Sequence, residues 1–115
     1  MNRLSGKERR VHPRLNQTLP INVAANGYDF VTSTMNISCL GTYCRIDKYV
    51  PPFTRVRIKM DLPMAKKEIT PVECDGVIVR SEDEEKGGFN VAIYFNRIAE
   101  APRKKITQYI NQYLP

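Results

Sequence analysis

The sequence has little of what catalytic and metal-bound proteins are built on. It contains one histidine, His12, and three cysteines, Cys39, Cys44 and Cys74, with no C-x-x-C pair. No zinc-ligand spacing can be drawn from that set. An odd number of thiols also argues against a disulfide framework and fits a reducing compartment. No carboxylate pair, glycine-rich phosphate loop or nucleophile–base pair can be assembled from the motifs, and Ser38 has no histidine placed beside it, so no enzyme is expected. No run approaches the roughly 20 apolar residues that span a bilayer. The N-terminal stretch, residues 1–10, is basic where a signal peptide is apolar, so no membrane insertion is expected and the expected location is the cytoplasm. Repeats and low-complexity tracts are absent from the sequence.

What is present is enough for one small domain: 115 residues, 42% hydrophobic and 26% charged. That balance is the ordinary one for a soluble globular protein. The net charge of +6, with a pI near 9.4, points to an anionic partner. The charge is unevenly placed. Arg3, Lys7, Arg9, Arg10 and Arg14 crowd the first fourteen residues against a single acid, Glu8. A second basic cluster is Arg103-Lys104-Lys105, and Glu82-Asp83-Glu84-Glu85 is acidic.

Residues 4–12 show no apolar period, so residues 1–14 read as a flexible basic arm and residues 15–115 as the folded domain. Residues 19–25 and 28–37 read as strands about Asn26-Gly27, a dipeptide suited to a tight hairpin turn. Residues 41–47 make a third. The clearest strand is 54–62, where Val56, Ile58, Met60 and Leu62 alternate with Arg55, Arg57, Lys59 and Asp61. Residues 71–80 and 89–96 form a further pair joined by a polar loop over 81–88. After Pro102 the period changes: Ile106, Tyr109, Ile110 and Tyr113 lie on one stripe of a helix. Pro102 suits its first turn, while Arg103, Lys104 and Lys105 sit at the unfavourable end of its dipole. Six short strands closed by one helix predict an all-β fold with a terminal helix, a six-stranded antiparallel β-barrel followed by a C-terminal α-helix.

Two separated motifs carry the chemistry. Arg10-Val11-His12-Pro13-Arg14 puts two guanidinium groups four residues apart, and Asn36-Ile37-Ser38-Cys39-Leu40-Gly41 places short polar groups and a glycine at a strand end. A guanidinium offers a rigid fork of donors to phosphate oxygens or to guanine O6 and N7, and a flat face for a base. Asn36 and Ser38 can reach a guanine edge or sugar-phosphate oxygens. Gly41 allows a turn or a close approach that a Cβ would hinder. Together, in this order and with the hairpin between them, the motifs match RxxxR and [DN]xSxxG, and the chain resembles the PilZ domain family from residue 7 to its end.

That resemblance implies a PilZ-type barrel and a receptor for cyclic di-GMP, in which Arg10 and Arg14 contact phosphates and guanine while Asn36, Ser38 and Gly41 hold a guanine on the barrel. It implies an adaptor that passes a ligand-driven change to a downstream protein, which the sequence does not identify. Arg80 stands where many relatives carry an aromatic residue, and a guanidinium can also stack on a base. Arg9, just before the first motif, is associated in the family with an intercalated ligand dimer, which implies two cyclic di-GMP molecules per chain. Two alternatives compete. A small basic β-barrel binding nucleic acid would interleave exposed aromatics with basic residues, whereas Tyr28, Phe30, Tyr43, Tyr94 and Tyr109 are scattered and the positive charge concentrates in the arm. A PilZ domain acting only as a protein-interaction module would not need both arginines and the whole second motif.

Overall fold

The computed structural model describes residues 13–25 and 27–114, and alternation of apolar side chains organises it. In β1 (Pro20–Ala25), Ile21, Val23 and Ala25 turn inward; in β4 (Arg55–Pro63), Val56, Ile58, Met60 and Leu62 do so, while Arg55, Arg57, Lys59 and Asp61 face water. The same rule supplies inner faces from β2 (Tyr28–Ile37), β3 (Gly41–Ile46), β5 (Ile69–Asp83) and β6 (Phe89–Arg97). Six half-apolar strands can hide their inner faces by closing on one another, which also removes both sheet edges. They do so as a closed antiparallel barrel in the order β1-β2-β3-β6-β5-β4. Its filling includes Ile21, Val23, Ile37, Cys44, Ile58, Leu62, Ile78 and Val91, all nearly inaccessible. The expected six-stranded barrel with a C-terminal helix is therefore the observed fold.

The β1–β2 turn behaves as the dipeptide suggests on its glycine side: Ala25 pairs with Tyr28 and Gly27 has φ +84°. Asn26 lies outside the described residues. Helix α1 (Glu100–Asn111) buries Ile106, Tyr109 and Ile110 and packs on β4 and β5. Pro102 falls in its first turn, where a missing N–H leaves no bond unmade. Glu100 complements the positive end of the helix dipole and binds Lys104 at 3.2 Å, which offsets the basic run beside it. No described helix is long and apolar enough to cross a membrane.

Three boundaries differ from expectation. β5 continues through Ser81, Glu82 and Asp83, pairing Glu82 with Asn90 and Asp83 with Phe89, so the polar loop is shorter than residues 81–88. Acidic residues are tolerated there because the extension is largely exposed. β5 also begins at Ile69, after a 3-10 turn at Ala65–Lys67 in which Lys66 and Lys67 adopt φ values of 65° and 63°. Tyr113 is not part of the buried stripe: the helix ends at Asn111, and Tyr113 is half-exposed, edge-on to Tyr109 at 5.4 Å.

Candidate functional site

The Asn36–Gly41 motif sits where β2 hands over to β3, and a β-bulge sets its geometry. Thr34 pairs with Cys44 but Asn36 with Tyr43, leaving Met35 as an extra residue on β2. Strict alternation from Phe30 and Thr34 would send Asn36 inward and Ile37 outward. The extra residue reverses this, so that Ile37 is fully buried and Asn36 lies on the outer face beside Tyr43. The turn is then fixed by the motif itself. The Ser38 N–H donates to the Gly41 carbonyl at 2.9 Å, the Leu40 N–H to Ser38 Oγ at 3.2 Å, and Thr42 Oγ1 to the Asn36 carbonyl at 2.7 Å.

Gly41 has no positive φ among the described glycines, so its turn is not the reason for glycine. Close approach is: a Cβ there would lie 2.2 Å from the Ile93 carbonyl oxygen of β6. Ser38 is 7% exposed and already serves the turn, so it supports the site's shape as well as lining it.

Arg14 reaches the same place from the other end of the sequence. Its neighbour Leu15 is buried and forms an antiparallel bridge with Ile37, with N···O distances of 2.8 and 3.0 Å. That bridge carries the exposed Arg14 to the edge of the motif. Arg9 and Arg10 lie outside the described residues.

A second bulge delivers Arg80. Ile78 pairs with Ile93 but Arg80 with Ala92, so Val79 is extra. The inward series Val72, Cys74, Gly76 and Ile78 would otherwise put Arg80 inside the barrel, and the bulge turns it out. One row of side chains then crosses three strands: Tyr43 on β3, Ala92 on β6 and Arg80 on β5. Ala92 is small, and across it Arg80 lies with Cζ 5.7 Å from the Tyr43 ring centroid. Glu82 Oε1 forms an ion pair with Arg80 Nε at 3.4 Å and accepts a hydrogen bond from the Tyr43 hydroxyl at 3.3 Å. Burial, and then the charge of Glu82 and its hydrogen bond, hold the Tyr43 phenol above its usual pKa.

These pieces enclose an open groove of about 420 Å³ lined by Arg14, Asn36, Ser38 and Gly41 from the sequence motifs and by Arg80, together with Tyr43 and Tyr94. The structure thus gathers all five described site candidates. Sequence reasoning left the two tyrosines out of the site. Their signal was available in the strand period, since Thr42, Cys44 and Ile46 point in and Tyr43 therefore out; the row it shares with Arg80 depends on pairing β3 with β6, which adjacency in sequence does not suggest. To a flat anion the groove offers two guanidinium groups, two tyrosine side chains and a tight polar turn. The Cys44 thiol, next to Tyr43 in sequence, is a poor nucleophile, for burial pushes it up to about 12. Among the described residues no group of three or more His, Cys, Asp or Glu could hold a metal ion.

Residues 8–112 match the PilZ domain family. In three dimensions the chain is similar to the Bacillus subtilis inhibitor of motility MotI/DgrA, with a TM-score of 0.80 and 20% identity over 92% of this chain and 52% of that one. This chain thus spans about half the length of that protein. It is also similar to the PilZ domain of Escherichia coli YcgR, solved with c-di-GMP, with a TM-score of 0.60 and 13% identity over 90% of each chain. No curated protein sequence matches it. With nearly its whole length covered by that family match, the chain belongs to the PilZ domain family.

Proposed function

We propose that this protein is a cytoplasmic receptor for cyclic di-GMP, acting as an adaptor and not as an enzyme. The observation that supports it best is the convergence of Arg14, the Asn36–Gly41 turn and Arg80, three distant stretches of sequence, on one groove. Phosphates of the ligand meet Arg14 and Arg10, and a guanine rests against the turn, where Asn36 and the buried Ser38 meet its polar edge. Gly41 keeps β3 tight on β6 beneath it. Arg80 offers its flat face to a base in place of an aromatic ring.

Arg9 extends the guanidinium set so that a second ligand molecule stacks on the first, giving two per chain. A conformational change driven by ligand binding is what a downstream protein reads. Titration calorimetry tests the assignment: cyclic di-GMP should bind with a Kd of about 1 μM or tighter, equivalent to about −8 kcal/mol. Single-stranded RNA should bind weakly, with a steep dependence on salt. Absence of heat at saturating protein, with no competition by the ligand in a second assay, would overturn the reading.

A further inference from the structure

Arg80 does not stand free at the rim of the groove. One carboxylate oxygen, Glu82 Oε1, takes both its Nε, at 3.4 Å, and the Tyr43 hydroxyl, at 3.3 Å. The guanidinium is thereby tied to the edge of the ring it covers, 5.7 Å from the ring centroid. Glu82 is placed for this by β5, which runs past the Val79 bulge and pairs Glu82 with Asn90, one row beyond the Arg80–Ala92 pair. Both charged side chains are more than half exposed, at 60% for Arg80 and 55% for Glu82, so the tie is a light one that an incoming ligand can break.

We propose that Glu82 is a positioning residue that restrains Arg80 over Tyr43 in the unliganded protein, and that a ligand opens this end of the groove by taking the guanidinium from it. The proposal rests on the groove being the cyclic di-GMP site. Its geometry follows from thickness. A base held between two flat groups needs about 3.5 Å on each side, or roughly 7 Å between the faces. The spacing of 5.7 Å is too small. Arg80 must therefore lift before a base enters above Tyr43, and lifting parts Nε from Glu82.

A phosphate supplies the replacement for the lost carboxylate, while a neutral planar molecule offers nothing in exchange. The restraint consequently favours ligands that carry both a planar base and a phosphate.

A double-mutant cycle on the full chain tests this, using calorimetry with cyclic di-GMP for the unaltered protein, Glu82→Gln, Arg80→Ala and the double variant. Because the tie is an exposed ion pair, Glu82→Gln should tighten binding by about two- to fivefold at low salt. In the Arg80→Ala background the same change should alter affinity by less than about 1.5-fold, since nothing remains to release. An equal gain in both backgrounds would assign the effect to charge repulsion alone and overturn the restraint. Unchanged or weaker binding by Glu82→Gln would overturn it as well.

An independent reading comes from the Arg80 Nε–Hε signal in nuclear magnetic resonance spectra of the unliganded protein. It should move on Glu82→Gln substitution, and an unmoved signal would refute the tie whether or not ligand binds. If the unaltered protein binds no cyclic di-GMP, while that signal does move, the assignment of the groove fails and the ion pair stands as a surface contact without a ligand to regulate.

Discussion

Replacing Gly41 by alanine is the sharpest test of how the groove is built. The added Cβ would sit 2.2 Å from the Ile93 carbonyl oxygen, 3.2 Å from its carbon and 3.3 Å from the Tyr94 Cα. All three are backbone atoms of β6, which is paired on one side by β3 and on the other by β5, so no side chain can swing away. Reaching even a 3.0 Å contact requires a displacement of about 0.8 Å between two hydrogen-bonded strands. Forcing one extra carbon into such a place costs about 1–3 kcal/mol. For a domain of this size each kcal/mol corresponds to about 4 °C in melting temperature, so Gly41→Ala should melt about 4–12 °C lower.

Thermal melts by circular dichroism and urea midpoints in the absence of ligand measure this. Gly27→Asn is the control. Gly27 needs φ +84° but has nothing within 4 Å of a Cβ, and asparagine tolerates the left-handed region. It should lose far less stability than Gly41→Ala. If Gly41→Ala melts within about 1 °C of the unaltered protein, at an unchanged urea midpoint, the close approach of β3 and β6 is not what glycine serves there.

Other perturbations separate binding from folding. Arg14→Ala should weaken cyclic di-GMP binding at least tenfold by calorimetry, since a charged hydrogen bond is worth about 1.5–3 kcal/mol, and leave the unliganded melting temperature unchanged because the side chain is exposed. Arg9→Leu should move the equivalence point from two ligands per chain toward one; an unaltered protein that saturates at one would refute the stacked pair while leaving the site intact. Alkali should destabilise the fold. Burial raises the Cys74 thiol from 9.0 to about 11 and Cys44 to about 12, so above pH 9 the unfolded chain sheds protons that the folded chain retains. Stability that is complete below pH 9 is then lost as pH rises toward 11–12, by up to about 1.4 kcal/mol per pH unit for each thiol. Urea midpoints between pH 8 and 10.5 should fall, and fall less steeply in Cys74→Ala.

The barrel was legible from the sequence because its signals are local. Val56, Ile58, Met60 and Leu62 alternate without interruption and are all buried, and Ile106, Tyr109 and Ile110 keep a helical stripe to the same core. The ends of elements were less legible. Glu82 and Asp83 read as loop because they are acidic, yet an exposed β-ribbon places no demand on side-chain polarity. Of the residues named by the RxxxR and [DN]xSxxG motifs, the groove collects the four that are described, Arg14, Asn36, Ser38 and Gly41, and Arg80 joins them from outside both motifs; Tyr43 and Tyr94 were missed because the β3–β6 pairing joins strands separated in sequence by two others.

The part hidden from sequence pattern is how Asn36 and Arg80 come to face outward at all. Each follows inward positions an even number of residues apart, Phe30 and Thr34 before Asn36, Val72 to Ile78 before Arg80, and on period alone each belongs inside the barrel. A buried, unpaired guanidinium is too costly for that register to hold. The chain avoids it by one extra residue on each strand, Met35 and Val79, both half-exposed, and in each case the displaced polar side chain arrives at the same groove. Two bulges on non-neighbouring strands converge on β3 and β6, which lie between them. These two irregularities therefore serve the groove: where the regular strand period would bury Asn36 or Arg80, the strand breaks its period to present it.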